Sequence, residues 1–97
     1  MRNDRFEWDD SKASKNLLKH GVSFEEAALV FDDPNVLVET DESDPYEERW
    51  RSTGNSQDRI LFVISTERYG NIIRIISARR ATPHEEDRYY RQALLKR

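Results

Sequence analysis

The sequence predicts an α+β domain: an antiparallel four-stranded meander, preceded by a short N-terminal strand, with helices packed on one face, in the order β-α-α-β-β-β-β-α. Three observations lead there. Helix starts are marked by capping residues before Ala13, before Ala27 and before Tyr90. Four strand-forming runs lie consecutively between Val36 and Arg80, separated by turn residues. The chain has 97 residues, 36% of them hydrophobic and 36% charged, enough for one modest core and a single domain over 1–97.

Each element has a local reason. Phe6 and Trp8 flank Glu7 in the alternation of a short strand. Asp9 or Ser11 can cap a helix with Ala13, Asn16, Leu17 and His20 on one stripe, and Gly21 stops it. Val22-Ser23-Phe24-Glu25-Glu26-Ala27 supplies a capping serine, a glutamate three residues later and a staple from Val22 to Ala27. Phe24, Ala27, Ala28 and Phe31 form the buried stripe of this second helix, and Asp32-Asp33-Pro34-Asn35 ends it in a turn.

The runs Val36–Thr40, Glu48–Thr53 and Arg59–Thr66 read as strands, the last with an uninterrupted Ile-Leu-Phe-Val-Ile. Tyr69-Gly70-Asn71 makes a hairpin turn into the β-branched run that ends at Arg79 and Arg80. Strict alternation there puts Arg74 and Arg80 on one face and Ser77 and Arg79 on the other, unless a bulge brings the adjacent arginines together. Thr82-Pro83-His84-Glu85 opens the last helix, to about Leu95, with Tyr90, Ala93 and Leu94 at helical spacing. Trp8 and Trp50 are expected in the core, and at most one of Tyr89 and Tyr90 can be buried.

Charge is unevenly distributed. Residues 1–48 hold 5 Lys/Arg and 14 Asp/Glu, a net of −9, and residues 49–97 hold 11 and 5, a net of +6. One basic face and one acidic face are the expectation. Ten of the eleven later cations are arginine, the residue whose planar fork matches phosphate. There is no cysteine, hence no disulfide or thiolate chemistry, and no apolar run approaches the length of a membrane span. The first residues lack the apolar core of a signal peptide, so a cytoplasmic location and no membrane partner are expected.

Several chemistries find no support. The two histidines are 64 residues apart, without metal-ligand spacing, and Asp41-Glu42-Ser43-Asp44 lacks the glycine and closing glutamate of a calcium loop. With three glycines there is no phosphate loop or nucleotide fingerprint, and no metal or cofactor is expected. The remaining chemistry lies in arginines around the meander: Arg49, Arg51, Arg59, Arg68, Arg74, Arg79 and Arg80. Lys19 and His20 sit at a helix C-terminus, where the dipole favours cations. Two readings of Arg79 and Arg80 stand side by side: phosphate ligands aimed from a strand end, or neutralisers of Glu85, Glu86 and Asp87. Such a sheet can cut RNA through the ribose 2′-OH, or bind RNA without cutting it.

Phe6-Glu-Trp-Asp9, Lys19-His-Gly-Val-Ser-Phe-Glu-Glu-Ala27, Val30-Phe-Asp-Asp-Pro34 and Arg74-Ile-Ile-Ser-Ala-Arg-Arg-Ala81 together resemble the BrnT toxins of bacterial type II toxin–antitoxin systems, over nearly the whole chain and in order. The resemblance implies a RelE-like fold and metal-independent endoribonuclease activity that arrests translation. It implies a cognate BrnA-like antitoxin, RNA as substrate, and operator DNA reached only through the antitoxin. The candidate catalytic set is Arg79, Arg80, Arg59, Lys19 and His20, with Arg49, Arg68 and Arg74 as candidates for binding nucleic acid. The chain departs from the family at Asp58, where a glycine is usual, setting a carboxylate beside Arg59. The charge polarity places the antitoxin near Arg49, Arg59 and Arg80, with Glu39–Glu48 outside the contact. The alternative is a non-catalytic protein- or nucleic-acid-binding module of the same fold.

Overall fold

The computed structural model describes residues 1–96. Its elements are β1 (Phe6–Glu7), α1 (Asp10–His20), α2 (Phe24–Leu29) with a single 3-10 turn (Val30–Asp32), β2 (Leu37–Asp41), β3 (Arg49–Asn55), β4 (Ile60–Arg68), β5 (Ile72–Arg80) and α3 (Pro83–Leu95). The α+β class, the element order and the meander are as the sequence predicts. The sheet order is β1-β5-β4-β3-β2, antiparallel throughout the meander, with β1 parallel to β5.

The helix starts follow their caps. Asp9 accepts from the Lys12 N–H, Ser23 from the Glu26 N–H, and Thr82 and Glu85 form a complete capping box. Gly21, at φ 68°, closes α1 in the left-handed conformation and donates to the Leu17 carbonyl. Tyr69 (φ 56°) and Gly70 (φ 81°) make the hairpin turn between β4 and β5 with two positive φ values, as a tight hairpin requires.

The core lies on the sheet face covered by α1 and α2. Val22, Phe24, Ala27 and Val30 meet Phe6, Trp8, Leu61, Val63, Ile75 and Ala78, with Trp8 edge-on to Phe24 at 5.9 Å. The 3-10 turn presses so closely on β3 that a Cβ on Gly54 would stand 2.7 Å from Val30 Cγ1.

The last helix departs from the single helical layer. Paired residues share a face, so Glu39, Arg51, Thr53, Phe62 and Arg79 lie opposite Val38, Ser52, Val63 and Ala78. α3 attaches to that opposite face, through Arg88 to Glu39 at 2.6 Å and Glu85 to Arg79 at 2.8 Å. Its buried residue is Tyr89, whose hydroxyl donates to Asp33, while Tyr90 and Leu94 are exposed. Of the expected Tyr90, Ala93 and Leu94, Ala93 is half-buried, while Tyr89 takes the inward position in place of Tyr90, and polar contacts to Glu39 and Arg79 set the rotation of α3.

Candidate active site

A bulge decides where the arginines of β5 point. Ile64 pairs with Ser77 but Ser65 with Ile75, so Ile76 is the extra residue. The shift moves Arg74 onto the face of Ser77 and Arg79, while Arg80, opposite Leu61, stays on the α1/α2 face. The two adjacent arginines therefore point to opposite sides.

Their environments differ accordingly. Arg79 lies over the Phe62 ring at 4.1 Å and grips Glu85 with both terminal nitrogens, at 2.8 and 3.0 Å. Hydrogen bonds from Arg79, and from the Thr82 N–H, hold the Glu85 carboxyl below the usual carboxylate range despite its partial burial. Arg80 is exposed and, among the described residues, in no ion pair. Of the two readings open from the sequence, neutralisation of the next helix describes Arg79; Arg80 is in no such pair among the described residues and stays available for the other.

Arg59 is similarly occupied. Its Nε and Nη2 donate to the two Glu26 carboxylate oxygens at 2.9 and 2.8 Å, and Nη2 also reaches the Gly21 carbonyl at 2.8 Å. Ser56 Oγ adds a bond to Glu26 at 2.8 Å, and these donors, Arg59 foremost, hold the Glu26 carboxyl below its ordinary value. Glu26 read as the second half of a capping box from the sequence; it leaves Ser23 to cap alone and clamps Arg59 instead. The bond to Gly21 ties the start of β4 to the end of α1, just after Lys19 and His20.

A second tie comes from Asn16. Because β1 pairs only with Ile73 and Arg74, the outer edge of β5 is open further along. There the buried Asn16 amide donates to the Ala78 carbonyl at 2.8 Å and accepts from the Ala78 N–H at 3.2 Å, while also donating to Val22. It fixes α1 against β5 two residues before Arg80, with His20 one helical turn beyond. The Ala81 N–H donates to the Ile60 carbonyl, which keeps the end of β5 beside the residue after Arg59. Lys19, His20, Arg59 and Arg80 thus come to one end of the sheet, with Arg79 on its other face there. Lys12, Lys15 and Lys19 follow one flank of α1 at helical spacing, exposed and outside any ion pair among the described residues.

The other predicted nucleic-acid ligands are elsewhere. Arg49 is held by Asp44 and Glu47, Arg68 by Glu47, and Arg74 by Glu7. Arg49 and Arg68 sit at the far end of β3 and β4, and β4 alone spans nine residues, about 26 Å. The basic and acidic faces expected from the two halves largely cancel, because Glu7, Glu26, Glu39 and Glu47 pair with Arg74, Arg59, Arg88 and Arg68. Among the described residues no group of three or more His, Asp or Glu side chains is placed to hold a metal ion, and no helix is long and apolar enough to cross a membrane. His84 is exposed on the first turn of α3.

Fold and site together define a small α+β domain with Lys19, His20 and Arg80 at one end of its five-stranded sheet. A family model described as the ribonuclease toxin BrnT of type II toxin–antitoxin systems matches residues 8–85, and the chain belongs to that family. Among solved structures it is similar to the ribonuclease toxin BrnT of Brucella abortus, with a TM-score of 0.66 and 23% identity over 82% of this chain and 99% of that one. At that identity the likeness speaks for the fold. No curated protein matches the sequence.

Proposed function

We propose that this ribonuclease toxin is a metal-independent endoribonuclease whose reacting phosphate sits at the end of α1 and β5. The supporting observation is the contrast between Arg80 with Lys19, exposed and outside any ion pair among the described residues, and the arginines bound to carboxylates elsewhere. Free cations held on two rigid elements can meet a phosphate without first breaking an internal ion pair.

In this reading the ribose 2′-OH attacks its own phosphate. A P–O2′ bond forms, the P–O5′ bond breaks, and the products carry a 2′,3′-cyclic phosphate and a 5′-OH. Arg80 and Lys19 bear the extra negative charge of the transition state, and His20 moves a proton to or from the reacting oxygens. Arg79 contributes from the opposite face of the strand end, as far as its grip on Glu85 leaves it free. Arg59 acts through position, holding Lys19 and His20 against β4. RNA cleavage would arrest translation, and a BrnA-like antitoxin would silence the toxin and bring it to operator DNA.

Cleavage in excess EDTA that leaves cyclic phosphate ends, together with resistance of an RNA carrying 2′-deoxyribose at the cut position, tests this directly. Loss of activity in EDTA, or cutting of the deoxy substrate, would mean that a metal-activated water is the nucleophile.

A further inference from the structure

At the end of the sheet far from Arg80 a groove of about 320 Å³ opens on the α1/α2 face, walled by Phe31, Val38, Trp50 and Ile73. Neither helix covers it. Ser52, 1% exposed, also lines it, and its Oγ has no hydrogen-bond partner among the described residues. A buried hydroxyl left unpaired is costly and is expected to be satisfied by whatever fills the space. Val38, 51% exposed, lies on β2, and among the described residues the outer side of β2 carries no further strand. Such an edge is a template for pairing with another chain.

Arg49 and Arg68 nearby are tied up in ion pairs, and the unpaired charges beside the groove are acidic. Glu67 lines it, Glu48 and the fully exposed Tyr46 lie beside Trp50, and Glu42 follows β2; these three carboxylates are in no ion pair among the described residues. Carboxylates exclude RNA from this surface and favour a cationic polypeptide.

We propose that this groove and the free edge of β2 receive an extended segment of the antitoxin. The segment adds as a sixth strand beside β2, seats apolar side chains against Val38 and Trp50, satisfies Ser52 Oγ, and brings Lys or Arg to Glu42, Glu48 and Glu67. The inference rests on the toxin–antitoxin reading above and reverses the placement expected from charge polarity. Contact lies along Glu39–Glu48, because Arg49 is already neutralised by that segment. The site is an anchor at the opposite end of the sheet from the proposed chemistry, so binding and cleavage can be measured apart.

The test uses the full chain and the antitoxin encoded beside it. Amide hydrogen exchange across residues 37–41 should slow in the complex but not in the toxin alone at any concentration. Val38→Asp, at a half-exposed position that need not disturb folding, should weaken antitoxin binding at least tenfold. Glu67→Lys should slow association, most strongly at low salt, and both variants should cleave RNA at the wild-type rate. Unchanged exchange in β2 together with wild-type affinity of Val38→Asp would overturn the proposal. So would concentration-dependent protection of β2 in the toxin alone, which would make the occupant a second copy. Wild-type protein that binds as described yet cuts no RNA would support the docking site and remove only the catalytic reading.

Discussion

Glu26 and Arg59 are joined by two charge-assisted bonds, at 2.8 and 2.9 Å, between the first turn of α2 and the residue before β4. Their side chains are only 20% and 25% exposed, so the pair is shielded from much of the screening that weakens surface ion pairs. Since Arg59 also holds the Gly21 carbonyl, the pair ties the end of α1 to the start of β4. Arg59→Ala should therefore cost about 1–3 kcal/mol of stability and also slow RNA cleavage. Glu26→Gln should show the same joint loss in a smaller amount. Denaturant melts alongside cleavage rates check this, and a stable Arg59→Ala protein without activity would return Arg59 to direct phosphate contact.

Asn16→Ala should leave the Ala78 N–H and carbonyl buried without partners, at about 1–3 kcal/mol for each group. Asn16→Asp should be little better, because a carboxylate can accept from the Ala78 N–H but cannot donate to the carbonyls of Ala78 and Val22. Chemical denaturation reads the loss, and faster amide exchange over β5 would place it at this strand edge.

Gly54→Ala puts a methyl group within 2.7 Å of Val30 Cγ1, in a fully buried valine whose β-branched side chain has little freedom to move aside. Overpacking there should destabilise by about 1–3 kcal/mol. Val30→Ala in the same chain should recover part of the Gly54→Ala cost, and a double-mutant cycle measures that coupling.

Stability should fall on the acid side. Hydrogen bonds from Arg59 and Arg79 hold Glu26 and Glu85 below the ordinary value of 4.5. Burial pushes Asp33 up, but bonds from Tyr89, Asn55 and Asn35 outweigh it and leave the group below 3.8. For each, the native state binds fewer protons than the unfolded chain. The contribution is then complete above the unfolded pKa and disappears as pH falls through the lower folded one. Thermal midpoints should hold at neutral pH and drop below about pH 4.5, and Glu26→Gln should make that drop shallower.

Legibility in the sequence followed the range of each interaction. Caps at Ser23 and Thr82, the stop at Gly21 and the turn at Tyr69-Gly70 are local and readable from neighbouring residues, and the structure decides the first cap, open between Asp9 and Ser11, for Asp9. The bulge at Ile76 was not, since nothing in a run of isoleucines marks which residue is unpaired, and with it went the facing of Arg74. Asn16 looked like one more member of a helical stripe; its role depends on β1 being two residues long. The half-chain charge asymmetry misled because ion pairs form across the halves: Glu7 finds Arg74, and Glu39 finds Arg88. The only hint was that acidic residues spaced through 1–48 had arginines to match in 49–97.

Arg80 carries the central claim, and its substitution tests it most directly. Single-turnover cleavage of an RNA oligonucleotide should be on the order of 10²–10³ slower for Arg80→Ala, the loss of one preorganised cation at the transition state, while the melting temperature stays at the wild-type value. Arg80→Lys should recover only part of the rate, because an ammonium lacks the bidentate fork. An Arg80→Ala protein that cleaves at the wild-type rate would contradict the account and move the chemistry away from the end of α1 and β5.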